Sequence, residues 1–305
     1  MNRILALVDH SVYAESVVDH AAWVAGLTGA SIDVVHVLDP IDPAAVNAGM
    51  AGLAVGGPGI VSGSASYSEA RLQQLTYQAQ QLVDRLTTRI GDAGAGAVIG
   101  RVIVGELRHF AEESQSDFDL TVVGKRGETA DFVGLRLGSK LRNVVHVASK
   151  LVLIVPRAYR PLASWLLAVG KDNEVSRGLD DLVQSRMLEA LPGEVVHVGE
   201  LTELIRSDLE SIGLRLTHAG HRVSITVLDG EPVRAVAERL ATAESQLVVV
   251  GKFGRSRVLP MIFGDGVARD LTKVNQGPVL VLPEADGEIA EQQPGATPAL
   301  ADQNQ

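Results

Sequence analysis

The chain repeats itself, and that constrains its fold more than any other feature. Val34-Val35-His36-Val37 recurs as Val195-Val196-His197-Val198, an offset of 161 residues. Leu5-Ala6-Leu7-Val8 resembles Leu166-Leu167-Ala168-Val169. Val122-Val123-Gly124-Lys125 returns as Val249-Val250-Gly251-Lys252, and Ile154-Val155-Pro156 as Val281-Leu282-Pro283, both at an offset of 127. Two copies therefore share their beginnings and their ends. The first is the longer by 34 residues, the difference between the offsets 161 and 127, and the excess falls between Leu38 and Ile99. These boundaries predict a first domain over 1–158, a second over 162–284, and a tail over 285–305. Pro156 and Pro161 flank the short link between the copies. At 305 residues, each copy has enough chain to bury its own core.

Within each copy, strand and helix signals alternate. Arg3–Val8, Ile32–Val37, Ala97–Val104, Leu120–Val123 and Leu151–Val155 read as strands, with helical periodicity over Tyr13–Leu27, Ser68–Ile90, Leu107–Ser114 and Ser139–Val147. The second copy gives strands Trp165–Val169, Val195–Val198, Val223–Leu228, Gln246–Val250 and Val279–Leu282. Its helices fall over Asn173–Leu191, Glu200–Ala219, Pro232–Ala243 and Gly266–Val274. Such alternation predicts an α/β fold: open parallel sheets with helices on both faces. The aperiodic stretch Asp39–Ser66, rich in Gly, Ala, Pro and Ser, reads as a long loop. It is a lid over a ligand or, more simply, a tolerated insertion. The tail has the composition of a disordered segment.

Composition removes several function classes. There are no cysteines, which excludes disulfides, thiolate catalysis and thiolate metal sites. The net charge is −10, and Glu284, Asp286, Glu288, Glu291 and Asp302, all after Pro283, supply five of the negative charges. No basic footprint for nucleic acid remains. The opening MNRILALVDH reads as a strand start and not a secretory signal. No apolar run approaches the ~20 residues that span a bilayer. A cytoplasmic protein without membrane contact is the expectation.

In an open α/β sheet, ligands sit beyond the carboxyl ends of the strands where strand order reverses. After its fourth strand the first copy reads Gly124-Lys125-Arg126-Gly127, ten residues, then Gly138-Ser139. Glycines admit an anion close to backbone N–H groups. Ser139 opens a helix whose positive end favours negative charge, and Lys125 and Arg126 add local positive charge. After the first strand come Asp9 and Ser11, and a carboxylate there suits ribose hydroxyls. Each feature has a plainer reading. The glycines serve a tight turn, Ser139 caps a helix, and Asp9 bonds donors in its own turn. Their convergence at two loops that the fold brings together favours a ligand.

This alternation, the opening Val8-Asp9-x-Ser11 and the Gly-x-x-Gly…Gly-Ser loop resemble the universal stress protein family, once per copy and in tandem. The resemblance implies the adenine nucleotide alpha hydrolase-like sheet, five strands in the order 3-2-1-4-5, binding ATP or AMP with or without magnesium. It implies that Asp9 contacts the ribose, that Val37 lines the adenine pocket, and that Gly124, Arg126, Gly127, Gly138 and Ser139 hold the phosphates. It also implies a homodimer or an intrachain pseudo-dimer.

Two departures stand out. The family spacing is nine residues and the first copy has ten. The second copy has nine, but Asp265 follows Gly264 where a hydroxyl residue belongs, and Gly170 stands in place of Asp9. A carboxylate at that helix start fills the anion site with the protein's own charge, although Lys252, Arg255 and Arg257 offset it. The second copy is therefore expected to have lost triphosphate binding.

Other constellations are weaker. His197, His218 and His221 lack ligand spacing, and His36 and His197, at matching positions, share a packing role in the simpler reading. Glu112 with Glu113, and Asp180 with Asp181, read as solvated helix faces. No nucleophile elbow, P-loop or dinucleotide fingerprint is present. Three functions remain open: a nucleotide-responsive binding module, a nucleotide-independent interaction protein, and a slow ATPase without an evident base.

Overall fold

The computed structural model describes residues 1–39, 64–92, 94, 96–125, 139–170, 175–242, 246–251 and 277–283. The expected loop 39–66 (beyond Asp39 and before Ser64), the expected helix Gly266–Val274 and the tail 285–305 lie outside them.

The first copy supplies β1 (Arg3–Val8), α1 (Ala14–Thr28), β2 (Ser31–Leu38), α2 (Ser64–Asp92), β3 (Val98–Val104), α3 (Leu107–Ser114), β4 (Leu120–Gly124), α4 (Ser139–Val147) and β5 (Leu151–Val155). The second supplies β6 (Ser164–Val169), α5 (Val175–Ser185), β7 (Gly193–Val198), α6 (Glu203–His218), β8 (Val223–Leu228), α7 (Pro232–Ala241), β9 (Gln246–Gly251) and β10 (Val279–Leu282).

The ten described strands form one sheet in the order β3-β2-β1-β4-β5-β10-β9-β6-β7-β8. The expected order 3-2-1-4-5 thus occurs twice, but not as two separate sheets. The two sets join edge to edge, β10 pairing antiparallel with β5 through Val279↔Ile154, Leu280↔Leu153 and Val281↔Val152. Within each set every pairing is parallel. Fifth strands of contiguous apolar residues explain the join. Leu151–Val155 and Val279–Leu282 are buried throughout, and an open edge of that kind gains by pairing.

Helices cover both faces, so the inner strands are apolar on both sides. One face packs against α1, α2, α5 and α6 in a core that includes residues of both copies, with Leu153 and Leu280 meeting at the seam. The other packs against α3, α4 and α7. Alternation survives at the rims, where β3 leaves Ile99 and β8 leaves Ile225 exposed.

Helix ends follow local chemistry. Gly29, at φ 75°, closes α1 by donating its N–H to Ala25 O at 2.7 Å. The side chains of Thr202 and Glu231 accept from Ile205 N and Arg234 N, so α6 and α7 start where those caps stand. The helix expected over Asn173–Leu191 stops at Ser185. Arg186 takes a left-handed φ of 58°, and Met187 and Leu188 reach the core from the turn that follows.

Candidate functional site

β1 has β2 on one side and β4 on the other, and the chain order reverses between β1 and β4. The register pairs Val8 with His36 and Leu7 with Val123. The residues that follow, Asp9, Val37 and Gly124, therefore share one edge, the carboxyl ends of three adjacent parallel strands. That is where the fold leaves a crevice.

Four of the seven predicted site residues, Asp9, Val37, Gly124 and Ser139, lie among the described residues. Asp9 is half-buried just past β1, and its Oδ1 accepts from the Ser11 N–H at 3.0 Å. The Ser11 hydroxyl accepts from Tyr13 N at 3.3 Å, which leads the chain into α1. The turn role anticipated for Asp9 is thus real, and it holds the carboxylate at the strand end. Val37 is half-buried near the end of β2, on the face that carries Leu7 and Val35. Gly124 closes β4 beside Val155 of β5. Ser139 is the first residue of α4. Arg126, Gly127 and Gly138 lie outside the described residues. The Lys125 amide is donated to Val155 O at 2.9 Å. That amide belongs to the sheet, and any anion nest must begin after it.

Beside Asp9 stands His36, whose place in the sequence suggests packing alone. His36 is buried, and its Nδ1 lies 3.0 Å from the Val8 carbonyl oxygen. A carbonyl only accepts, so Nδ1 carries the proton and donates. The exposed His10 ring meets His36 edge-on, centroids 5.3 Å apart at 67°. In the second copy the buried His197 makes the same bond from Nδ1 to Val169 O at 3.1 Å. Its Nε2 has no hydrogen-bond partner among the described residues, so that single bond orients the ring. The sequence signal was the identical His at offset 161.

The second-copy edge differs where the first has its carboxylate. β6 and β9 stand as β1 and β4 do, paired through Leu167↔Val249, with Gly170 after β6 and Gly251 ending β9. Lys252, Arg255, Arg257, Gly264 and Asp265 lie outside the described residues. Among the described residues there is no cluster of three His, Asp or Glu able to hold a metal ion. No described helix is long and apolar enough to cross a membrane.

The model of the universal stress protein family matches residues 1–156. The universal stress protein Slr1230 of Synechocystis sp. is 26% identical over 292 residues, which cover 90% of this chain and 98% of that protein. Among solved structures, a universal stress protein from Archaeoglobus fulgidus matches with a TM-score of 0.62 at 17% identity, over 92% of this chain and 98% of its own. The cytoplasmic domain of a prokaryotic cation chloride cotransporter matches at 0.52 and 10% identity, over 94% and 96% of the two chains. These two likenesses are of fold. Because the family model takes in more than half of the sequence, and its strands are those that build the β1–β4 crevice, the chain belongs to the universal stress protein family.

Proposed function

We propose that this protein binds ATP or AMP at the first-copy crevice, with or without magnesium, as a regulatory ligand in the cytoplasm. The second copy serves as its structural counterpart. One observation carries the reading. A half-buried carboxylate held by its own turn, Asp9, shares the carboxyl edge at the chain reversal with Gly124, the residue that opens the glycine loop. Asp9 takes the ribose, Val37 lines the base pocket, and Gly124, Arg126, Gly127, Gly138 and Ser139 take the phosphates. The contrast with Gly170 supports one nucleotide per chain. Domain limits of 1–158 and 162–284, with a separate tail 285–305, belong to the same proposal. The ten-residue spacing before Gly138 favours the competing reading, a nucleotide-independent interaction module.

Chromatography of what the purified chain releases on denaturation decides between them. ATP or AMP supports the proposal, ADP points to slow hydrolysis, and no nucleotide overturns the proposal. A Gly127→Val/Ser139→Glu double variant closes the backbone approach and adds negative charge at the helix start. It is expected to release no nucleotide, and unchanged release would put the phosphates elsewhere.

A further inference from the structure

We propose that His36 is a positioning residue for the nucleotide site: by donating from Nδ1 to the Val8 carbonyl it fixes the strand end from which Asp9 is presented. This rests on the nucleotide reading of the first-copy crevice. The argument runs through covalent geometry. The Val8 carbonyl and the Asp9 N–H belong to one planar peptide unit. Holding that carbonyl at 3.0 Å from a buried imidazole therefore holds the Asp9 amide as well. Asp9 then closes its own turn, Oδ1 to Ser11 N at 3.0 Å, so the carboxylate has few places left to go. Val8 is the last paired residue of the β1–β2 ladder, so the imidazole adds a second hold on a carbonyl at the point where the sheet gives way to the loop, and a small misplacement of a binding group is costly.

The molecule carries its own control. His197 makes the same bond to Val169 at 3.1 Å, from the same register position, in an equally buried setting. The peptide unit it holds leads to Gly170, which has no side chain to aim. Both histidines hold a strand-end carbonyl, and only the one held by His36 leads to a side chain that can meet a ligand.

The test uses the full chain and measures ATP affinity by titration calorimetry, with urea midpoints recorded in parallel. His36→Phe and His197→Phe each delete the donor while keeping a ring, and both are expected to lower the midpoint by similar amounts. His36→Phe should weaken ATP binding by about tenfold, the scale of one lost hydrogen bond, and His197→Phe should leave it unchanged. His36→Asn sets an amide N–H where Nδ1 stood and is expected to restore affinity to within about threefold of the parent. Should His36→Phe not fold, His36→Met fills the space without a donor and takes its place. Wild-type affinity in the donor-less variant overturns the proposal. So does an equal loss in His197→Phe, or a His36→Asn variant as weak as His36→Phe. An unmodified chain with no affinity for ATP is a different failure, since it removes the nucleotide reading and this inference with it.

Discussion

Leu280 tests whether the two copies share one core. It is fully buried in β10 and stands opposite Leu153 of β5 across the antiparallel seam. Leu280→Ala removes apolar volume at the strand pair that, among the described residues, joins the two copies. Large-to-small changes at such sites cost about 2–5 kcal/mol, and a fully buried strand flanked on both sides collapses poorly, so about 3 kcal/mol is expected. With a urea dependence of about 3 kcal/mol/M for a large domain, the midpoint falls by about 1 M. The chain has two tryptophans, Trp23 in α1 and Trp165 in β6, one on each side of the seam. In Trp23→Phe and Trp165→Phe backgrounds, the remaining fluorophore reports one copy at a time. A shared core requires Leu280→Ala to shift both reports by the same amount. A shift confined to the Trp165 signal, with the Trp23 signal unmoved, would refute the reasoning and leave two independently melting halves.

Four further outcomes follow from the packing. Gly178→Ala places a Cβ 2.6 Å from Leu282 Cβ and 2.6 Å from the Pro283 carbonyl oxygen, neither of which can swing away. The overpacking cost of about 1–3 kcal/mol exceeds the helix gain of about 1 kcal/mol, so urea unfolding should show a net loss. Gly26→Ala in α1 meets nothing within 4 Å and should show a net gain. Burial pushes the imidazoles of His20 and His221 below the ordinary histidine value of 6.5. Their folded forms stay neutral while the unfolded chain takes up protons, so stability is full above that value and falls as pH drops through it. A double His20→Phe/His221→Phe variant should flatten that dependence in urea titrations between pH 7 and 5. Asp33, buried on β2, pairs with Arg3 at 3.0 Å and Arg101 at 2.5 Å, while both arginines stay 43% exposed. Asp33→Asn should therefore cost only about 1–3 kcal/mol, because the arginines recover water, and a loss above about 5 kcal/mol in urea would contradict that.

The strands were legible because their residues carry little else. Ile4–Val8 and Leu151–Val155 are contiguous apolar runs, and any fold that covers both faces of a sheet buries them. Their neighbours were not legible. Val279–Leu282 announces burial on two sides without saying that β5 lies beside it, because an all-apolar strand suits any inner place in a sheet. The overlong α5 has a different cause. Leu188 and Leu191 continue the helical spacing beyond Ser185, yet they belong to a turn entered through the left-handed Arg186. At the site, the placing of Asp9 and Gly124 on one sheet edge followed from strand order alone. The His36 bond did not, since a histidine among valines reads as packing until its Nδ1 is seen against the Val8 carbonyl.

The seam also bears on the expected dimer. Pairing of β5 with β10 covers the fifth-strand edge of each copy within one chain, which makes the chain a pseudo-dimer already. The edges left at the rims are β3 and β8, where Ile99, Val104, Ile225 and Val227 are exposed. Among the described strands, association of two chains by strand pairing would use those rims, three strands away from the β1–β4 edge on the β3 side. An association that closed the crevice would have to come from helices or loops instead. The two cases separate in solution: rim pairing leaves ATP affinity independent of protein concentration, whereas closure over the crevice makes affinity rise as chains associate.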